Sequence, residues 1–358
     1  MMETTTYGNL SQMTTSTFDL TTAVDPRYYR YLPVPLPEVM RYLFISLCVF
    51  GFIFGSFGNI LVFLAIVKFR KLRTTANAFL ASLAVADFGQ CIFVLPILAT
   101  GLISLETIIT NDILCRLFYH TTFTFSPVSI QHLILIAANR YTLINKTART
   151  YVKLFNKRTI TVLITSIWCG NTLLNLLVAF SSYGTVRFFG TDFCYVDQQN
   201  TIGVLFWVLT LLYTFLSCFI IIPVFYVLTF RTVHKSQVRV RQEQSAIDAP
   251  SLVAIISNHP SVSRNKQTTG GQRQQRKLLS ASEVKLTKVN FFIFVTNVLF
   301  LSPLFFLLVI NGGEVTHGKF VLIMLPIGMN SVTNPLVYCG FNRNFRGAFK
   351  ALLRLQRS

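Results

Sequence analysis

Asp87 is the only acidic residue near the middle of any long apolar stretch of this 358-residue chain. A carboxylate among nonpolar side chains is costly unless partners share its charge, so its position marks it as a functional candidate. The structural alternative is a buried polar network that locks helices together, and the two roles are compatible. Arg140, at the edge of another apolar stretch, is the second candidate, placed either to act or to snorkel its guanidinium into a polar boundary. Other chemistries are missing: no nucleophile stands with a His and an Asp, no run has metal-ligand spacing, and no glycine-rich loop is built to hold phosphate. His120 and His132 are isolated and read as packed or loop-satisfied residues. The chain is not expected to be an enzyme.

The elements that must position these residues follow from composition. Hydrophobic residues make up 52% of the chain and charged residues 13%, too few to wet the surface of a soluble protein of this length. The solvent is therefore expected to be lipid, whose hydrocarbon core of about 30 Å calls for about 20 apolar residues per helical crossing. Seven such stretches occur, at Arg41 to Val67, Thr75 to Leu102, Leu114 to Leu143, Thr159 to Phe180, Thr201 to Thr232, Leu286 to Ile310 and Phe320 to Phe341. The expected fold is an all-α membrane protein: a seven-transmembrane helix bundle over 41–341, closed by a short amphipathic basic helix over 342–358 on the inner membrane surface. Phe345, Phe349, Leu352 and Leu353 form that helix's greasy side. Residues 1–40 are Thr-rich and read as a disordered extracellular tail without the pattern of a cleaved leader. Residues 235–281, rich in Gln, Ser, Arg and Gly, read as a disordered third cytoplasmic loop.

Of 32 Lys and Arg residues, 26 fall on the face carrying the first, third and fifth loops and the C-terminal tail. That face is expected to be cytoplasmic, with the N-terminus outside the plasma membrane. The net charge of +19 is then accounted for by anionic inner-leaflet lipid and an acidic or phosphate-bearing cytoplasmic partner, and no nucleic acid is implied. Asn9 in Asn9-Leu10-Ser11 is the usable glycosylation acceptor, because Asn145-Lys146-Thr147 falls inside. Arg276 to Ser280 reads as a kinase site or as plain anchoring charge. Five of seven cysteines sit inside spans as small apolar residues. Cys115 and Cys194 both face the oxidising side, where a disulfide between them would tie the second outer loop to the top of the third span. Two unrelated thiols are the alternative.

Across nearly the whole chain, the motifs come in a telling order. Gly58-Asn59, Leu83-Ala84-Val85-Ala86-Asp87, Asn139-Arg140-Tyr141, Trp168, Pro223, Pro303 and Asn334-Pro335-Leu336-Val337-Tyr338 resemble the rhodopsin-like (class A) G-protein-coupled receptor family. The context of Asn139-Arg140-Tyr141 looks closest to the melatonin, moody, trapped-in-endoderm and medium-chain fatty-acid receptor branch. The resemblance implies a receptor that binds an extracellular ligand and activates heterotrimeric G proteins, with arrestin as a further cytoplasmic partner and membrane lipid around it. It implies a polar core of Asp87, Asn59, Ser129, Asn330, Ser331 and Asn334 around an allosteric sodium ion, and no other cofactor. It implies a G-protein switch of Asn139, Arg140, Tyr141, Glu283 and Tyr338, in which Glu283 pairs Arg140 at rest.

The chain also departs from that pattern. Asn139 replaces an acid, Leu301 stands where a tryptophan precedes Pro303, Asn297 replaces a connector phenylalanine, and Arg231 takes the place of a tyrosine that meets Tyr338. A lysine for a retinal Schiff base is replaced by Gly328. The pocket implied by resemblance is Tyr119, Thr122, Phe123, Ser126, Phe215, Phe219, Leu304, Phe305, Leu308, Phe320 and Met324, with Thr122 where amine receptors hold an aspartate. An ammonium would meet no carboxylate there, at a cost of several kcal/mol. A largely apolar or lipid-like small molecule is expected instead. A basic peptide drawn to the outer-loop acids is the alternative. A membrane transporter is a poorer fit, because the chain has an odd number of spans and a single intramembrane carboxylate.

Overall fold

The computed structural model describes residues 37–103, 111–180, 185–187, 194–196, 201–248, 281–310 and 317–355. The side chains of some residues at element ends, Cys194, Glu283, Leu308 and Phe320 among them, lie outside that description, as does Asn9. Seven long helices form the bundle. The first six spans are Glu38–Lys68, Thr75–Ile103, Asp112–Asn145, Lys157–Phe180, Thr201–Asp248 and Ala281–Ile310. Each of these six contains a stretch long and apolar enough to cross a membrane. The seventh, His317–Phe341, has the length at 1.5 Å per residue but carries Asn330, Ser331 and Asn334 inside.

The helix starts follow from side chains that replace the missing partners of first-turn N–H groups. Thr74 Oγ1 accepts from Asn77 N at 3.2 Å, and Asn111 Oδ1 accepts from Leu114 N at 3.0 Å. Thr147 caps the short inner-loop helix Ala148–Leu154, and Asn156 Oδ1 accepts from Thr159 N at the head of the fourth span. Span boundaries lie within five residues of those expected, apart from the inner end of the fifth. That helix runs on to Asp248 through a stretch rich in Gln, Arg and Val, good helix formers for the most part, which the loss of apolar pattern alone had suggested was loop. Residues 249–280 lie outside the described set.

The third span is the axis of the bundle, packing on the second, fourth, fifth and sixth. Glycines admit the closest approaches: a Cβ on Gly58 would lie 2.7 Å from Pro335 Cβ, so the first span meets the seventh only because position 58 has no side chain. Trp168 Nε1 donates to Ser82 Oγ at 2.9 Å and ties the fourth span to the second. Three one-turn π-helical widenings, at Gly51–Gly55, Gln90–Val94 and Ser217–Ile221, interrupt the first, second and fifth spans. Above the third span, β1 (Thr185–Arg187) pairs antiparallel with β2 (Cys194–Val196), placing Arg187 opposite Cys194. Below the seventh span, Arg343–Leu355 forms the expected terminal helix and buries Phe345, Phe349 and Leu352. Leu353 is exposed rather than on the packed side.

Candidate functional site

Asp87 has no solvent-exposed surface, and three side chains aim at its carboxylate. Ser129 Oγ and Ser331 Oγ donate to Oδ1 at 2.9 and 3.0 Å, and Asn334 Nδ2 donates to Oδ2 at 2.6 Å. The second, third and seventh spans therefore converge on one carboxylate, as expected from the sequence. The remaining members stand one step away. Asn59 Nδ2 donates to Gly55 O and to Ser331 O, holding the seventh-span backbone, and Asn330 Nδ2 donates to Asn297 Oδ1 at 2.5 Å instead of reaching Asp87. Asn297 is thus a polar-core residue, joining the sixth span to the seventh where an apolar connector was expected. Asn330 Oδ1 and Asn334 Oδ1 are buried with no donor facing them. A carboxylate with the Ser129 and Ser331 hydroxyls and the Asn334 amide around it is an oxygen-rich set of the kind hard cations take.

At the inner end of the third span, Arg140 is buried to 3% exposure. Tyr226 of the fifth span and Tyr338 of the seventh are likewise buried. Tyr226 is stacked against Phe294 and edge-on to Phe291 of the sixth span. Arg231, which stands where the family pattern has a tyrosine, is an exposed residue. Tyr141 packs against Phe225, with ring centroids 5.6 Å apart, and Asn139 is fully buried, donating to the Tyr151 hydroxyl. Beneath Arg140 a cavity of about 460 Å³ opens, lined by Lys71, Asn77, Tyr151, Lys285, Val289, Asn342 and Arg343 among others. The Arg140–Glu283 pair lies outside the described side chains.

The outer half of the bundle encloses a smaller cavity of about 80 Å³. Of the expected pocket residues, Thr122, Phe123, Ser126, Leu304 and Met324 line it. Tyr119 is buried beside Phe123, stacked at 4.7 Å. Phe215, Phe219 and Phe305 do not line the cavity: they form an aromatic triad with centroids 5.0 to 5.6 Å apart, and Phe215 is 42% exposed. These rings face one another between the fifth and sixth spans, with Phe305 packed against Ile130, Cys218 and Leu301. Leu308 and Phe320 fall among the undescribed side chains. Sequence reasoning missed Trp207, Thr210, Leu211 and Thr214 of the fifth span, together with Pro127, Ile130, Leu301 and Ile327. A tryptophan does face this cavity, but it comes from the fifth span and not from before Pro303. None of the lining residues is a carboxylate. At Gly328 a Cβ would lie 2.6 Å from Leu95 Cδ2, so the missing side chain lets the seventh span approach the second.

Cys115 is held in a disulfide, while Cys48, Cys91, Cys169, Cys218 and Cys339 are free. The strand carrying Cys194 packs against the third span.

Residues 58–338 match the family described as 7 transmembrane receptor (rhodopsin family). The octopamine receptor beta-1R of Drosophila melanogaster is 25% identical over 334 residues, covering 87% of this chain and 62% of that receptor. The G-protein coupled receptor moody of the same organism is 24% identical over 344 residues, covering 85% and 50%. Mouse 5-hydroxytryptamine receptor 2B is 28% identical over 331 residues, covering 82% and 67%. The chain thus spans roughly half to two thirds of the length of these relatives. The crystal structure of squid rhodopsin superposes with a TM-score of 0.66 at 18% identity, covering 93% of this chain and 90% of that one, and shares its fold.

Proposed function

The chain belongs to the rhodopsin family of seven-transmembrane receptors, and from that premise we propose that it is a plasma-membrane receptor, N-terminus outside, that binds a largely apolar small molecule and activates heterotrimeric G proteins. The observation that carries this reading is one continuous arrangement along the third span. An outer cavity without a carboxylate touches Ser126 and Ile130, the Asp87 cluster begins at Ser129, and Arg140 ends the column above an inner cavity of about 460 Å³. Opening of the outer cavity by a ligand displaces spans that the polar core ties together, and the inner cavity is their common outlet.

Two of the relatives are named for octopamine and 5-hydroxytryptamine. Those names describe those receptors. Here Thr122 and Ser126 offer hydroxyls only, and a dry ammonium would lack its counter-ion. Asp87, Ser129, Ser331, Asn330 and Asn334 would hold a sodium ion, which supplies positive charge that neutralises the carboxylate and favours the resting packing. The inner cavity, rimmed by Lys71, Lys285 and Arg343, suits the acidic end of a G-protein subunit, with arrestin as a competitor for the same face. Cys194 is the partner assigned to Cys115, and Asn9 is assigned as the glycosylated residue.

The test is a panel of G-protein activation assays on the receptor expressed alone and with lipid, amine and peptide pools. Activation by a lipid fraction, lost when the outer cavity is filled by Leu304→Trp, is the expected result. Activation by amines alone would overturn the ligand class, and silence across every G protein with normal surface expression would overturn the signalling role.

A further inference from the structure

Between the third, fourth and fifth spans a second concavity of about 350 Å³ opens sideways, where Leu174 and Leu209 on its rim are 50% and 54% exposed. In a membrane that side meets lipid and not water. Five polar side chains nevertheless line it: Gln131, Asn171, Asn175, Thr210 and Tyr213. Polar groups facing hydrocarbon are tolerated only when they satisfy one another or find another partner. Gln131, Asn171 and Thr210 do. Asn171 Nδ2 donates to Gln131 Oε1 at 2.8 Å and to Ile167 O at 2.7 Å, and Thr210 Oγ1 donates to Phe206 O at 2.9 Å.

Asn175 leaves one buried atom unanswered. Its Nδ2 donates to Phe123 O and to Asn171 O, both at 2.8 Å. Two carbonyl acceptors on the same nitrogen fix which way the amide faces, so the other atom must be the oxygen. That oxygen is buried, in a residue 3% exposed, and no donor meets it. An amide oxygen in a lipid-facing groove calls for a hydrogen-bond donor that arrives from the membrane. No residue of the groove is charged, which disfavours a phosphate or ammonium headgroup, and the apolar remainder is walled by Phe123, Phe206 and Pro127. Asn175 lies five residues before the end of the fourth span, about 8 Å below its outer end, at the depth of a shallow lipid hydroxyl.

We propose that this groove binds an uncharged lipid alcohol from the membrane, whose hydroxyl donates to Asn175 Oδ1 and whose apolar body lies along Phe123 and Phe206. The groove shares Phe123, Pro127 and Thr210 with the outer cavity, so an occupant there presses on the wall of the proposed ligand site. Binding itself requires neither signalling nor that site. The leaflet from which the lipid enters rests on the proposed orientation.

The experiment is photo-crosslinking of the full chain in nanodiscs with two alkyne-tagged diazirine probes, a sterol and a diacylglycerol, followed by peptide mapping. The expected result is labelling of the third, fourth or fifth span at the groove by at least one probe, competed by its untagged alcohol at least tenfold better than by the matching ketone or acetylated form. Which probe labels identifies the lipid class. Leu209→Trp, a substitution at the lipid-exposed rim, is expected to reduce labelling at least fivefold without loss of folded protein, and Asn175→Leu to abolish the preference for the free hydroxyl. Equal competition by the hydroxyl-free forms, labelling unaffected by Leu209→Trp, or copy-to-copy crosslinks through this face in place of lipid adducts would each overturn the proposal. Since the readout is covalent labelling, a negative result here leaves the receptor assignment standing, and a receptor without G-protein activity can still give a positive one.

Discussion

Asn139 Nδ2 donates to the Tyr151 hydroxyl at 3.3 Å, and the same hydroxyl is 2.8 Å from Thr75 Oγ1. One tyrosine of the inner-loop helix therefore joins the inner ends of the second and third spans. The residue beside Arg140 that the sequence pattern marks as a substituted acid has its amide committed to the loop, and no carboxylate from the third span's own last turns restrains the arginine.

Asn139→Asp is accordingly expected to lower ligand-independent activation, because a carboxylate at 139 can still accept from Tyr151 while adding a charged partner for Arg140. A charge-assisted hydrogen bond of about 1.5 kcal/mol corresponds to roughly a tenfold fall. Basal G-protein activation, normalised to surface expression, is the measurement. An unchanged or higher basal level would show that position 139 does not govern the resting state.

Asp87→Asn removes the charge but keeps the shape, and is expected to abolish any inhibition of agonist response by sodium. Ser129→Ala, which deletes one of three donors to the carboxylate, is expected to weaken the sodium effect and leave it detectable. Titrating sodium against potassium at constant ionic strength separates a site from general screening. Full sodium sensitivity in Asp87→Asn receptors would remove the ion from the mechanism.

Gly58→Ala places a methyl 2.7 Å from Pro335 Cβ and 2.9 Å from its Cγ, both parts of a ring that cannot rotate away. Overpacking of this kind costs about 1 to 3 kcal/mol. A drop in thermal unfolding temperature is expected, read by a thiol-reactive dye at the buried cysteines, whereas Gly340→Ala, with open space around its Cβ position, is expected to leave it unchanged. Equal stability of the two variants would mean that the first and seventh spans can separate at no cost.

Span number, span order and the Asp87 cluster were legible in the sequence because each rests on a simple signal. Twenty-residue apolar runs report membrane thickness, and a lone buried carboxylate demands partners that only a few polar residues can supply. The failures have one physical origin: side-chain direction. At Ser217–Ile221 the fifth span widens into a π-helical turn, which rotates everything beyond it. Counting back from Pro223 to Phe219 and Phe215 crosses that turn, and neither ring lines the outer cavity. Trp207 and Thr214 went unseen for the same reason. The Tyr151 link was hidden because the inner-loop helix Ala148–Leu154 is only seven residues long and has no apolar periodicity strong enough to announce it.

The last prediction separates ligand contact from relay at the outer cavity. At about 80 Å³ that cavity is well below the 300 to 1,000 Å³ typical of ligand sites, so a ligand must widen it, and the walls able to part are the fifth and sixth spans. Leu304 faces the cavity, whereas Phe305, its neighbour, does not line it and stands edge-on to Phe215 and Phe219 of the fifth span. Leu304→Trp is expected to weaken binding of an apolar agonist at least tenfold by occupying its space. Phe305→Ala removes two edge-to-face contacts of about 0.5 to 1.5 kcal/mol each between those spans and is expected to raise basal activation while changing agonist affinity little. Radioligand competition and basal activation, measured on both variants, distinguish the roles. If Phe305→Ala costs more affinity than Leu304→Trp, the aromatic triad is part of the pocket after all. If potency ignores both and falls instead on Asp192→Lys and Asp197→Lys, the ligand is a basic peptide held by the outer loops.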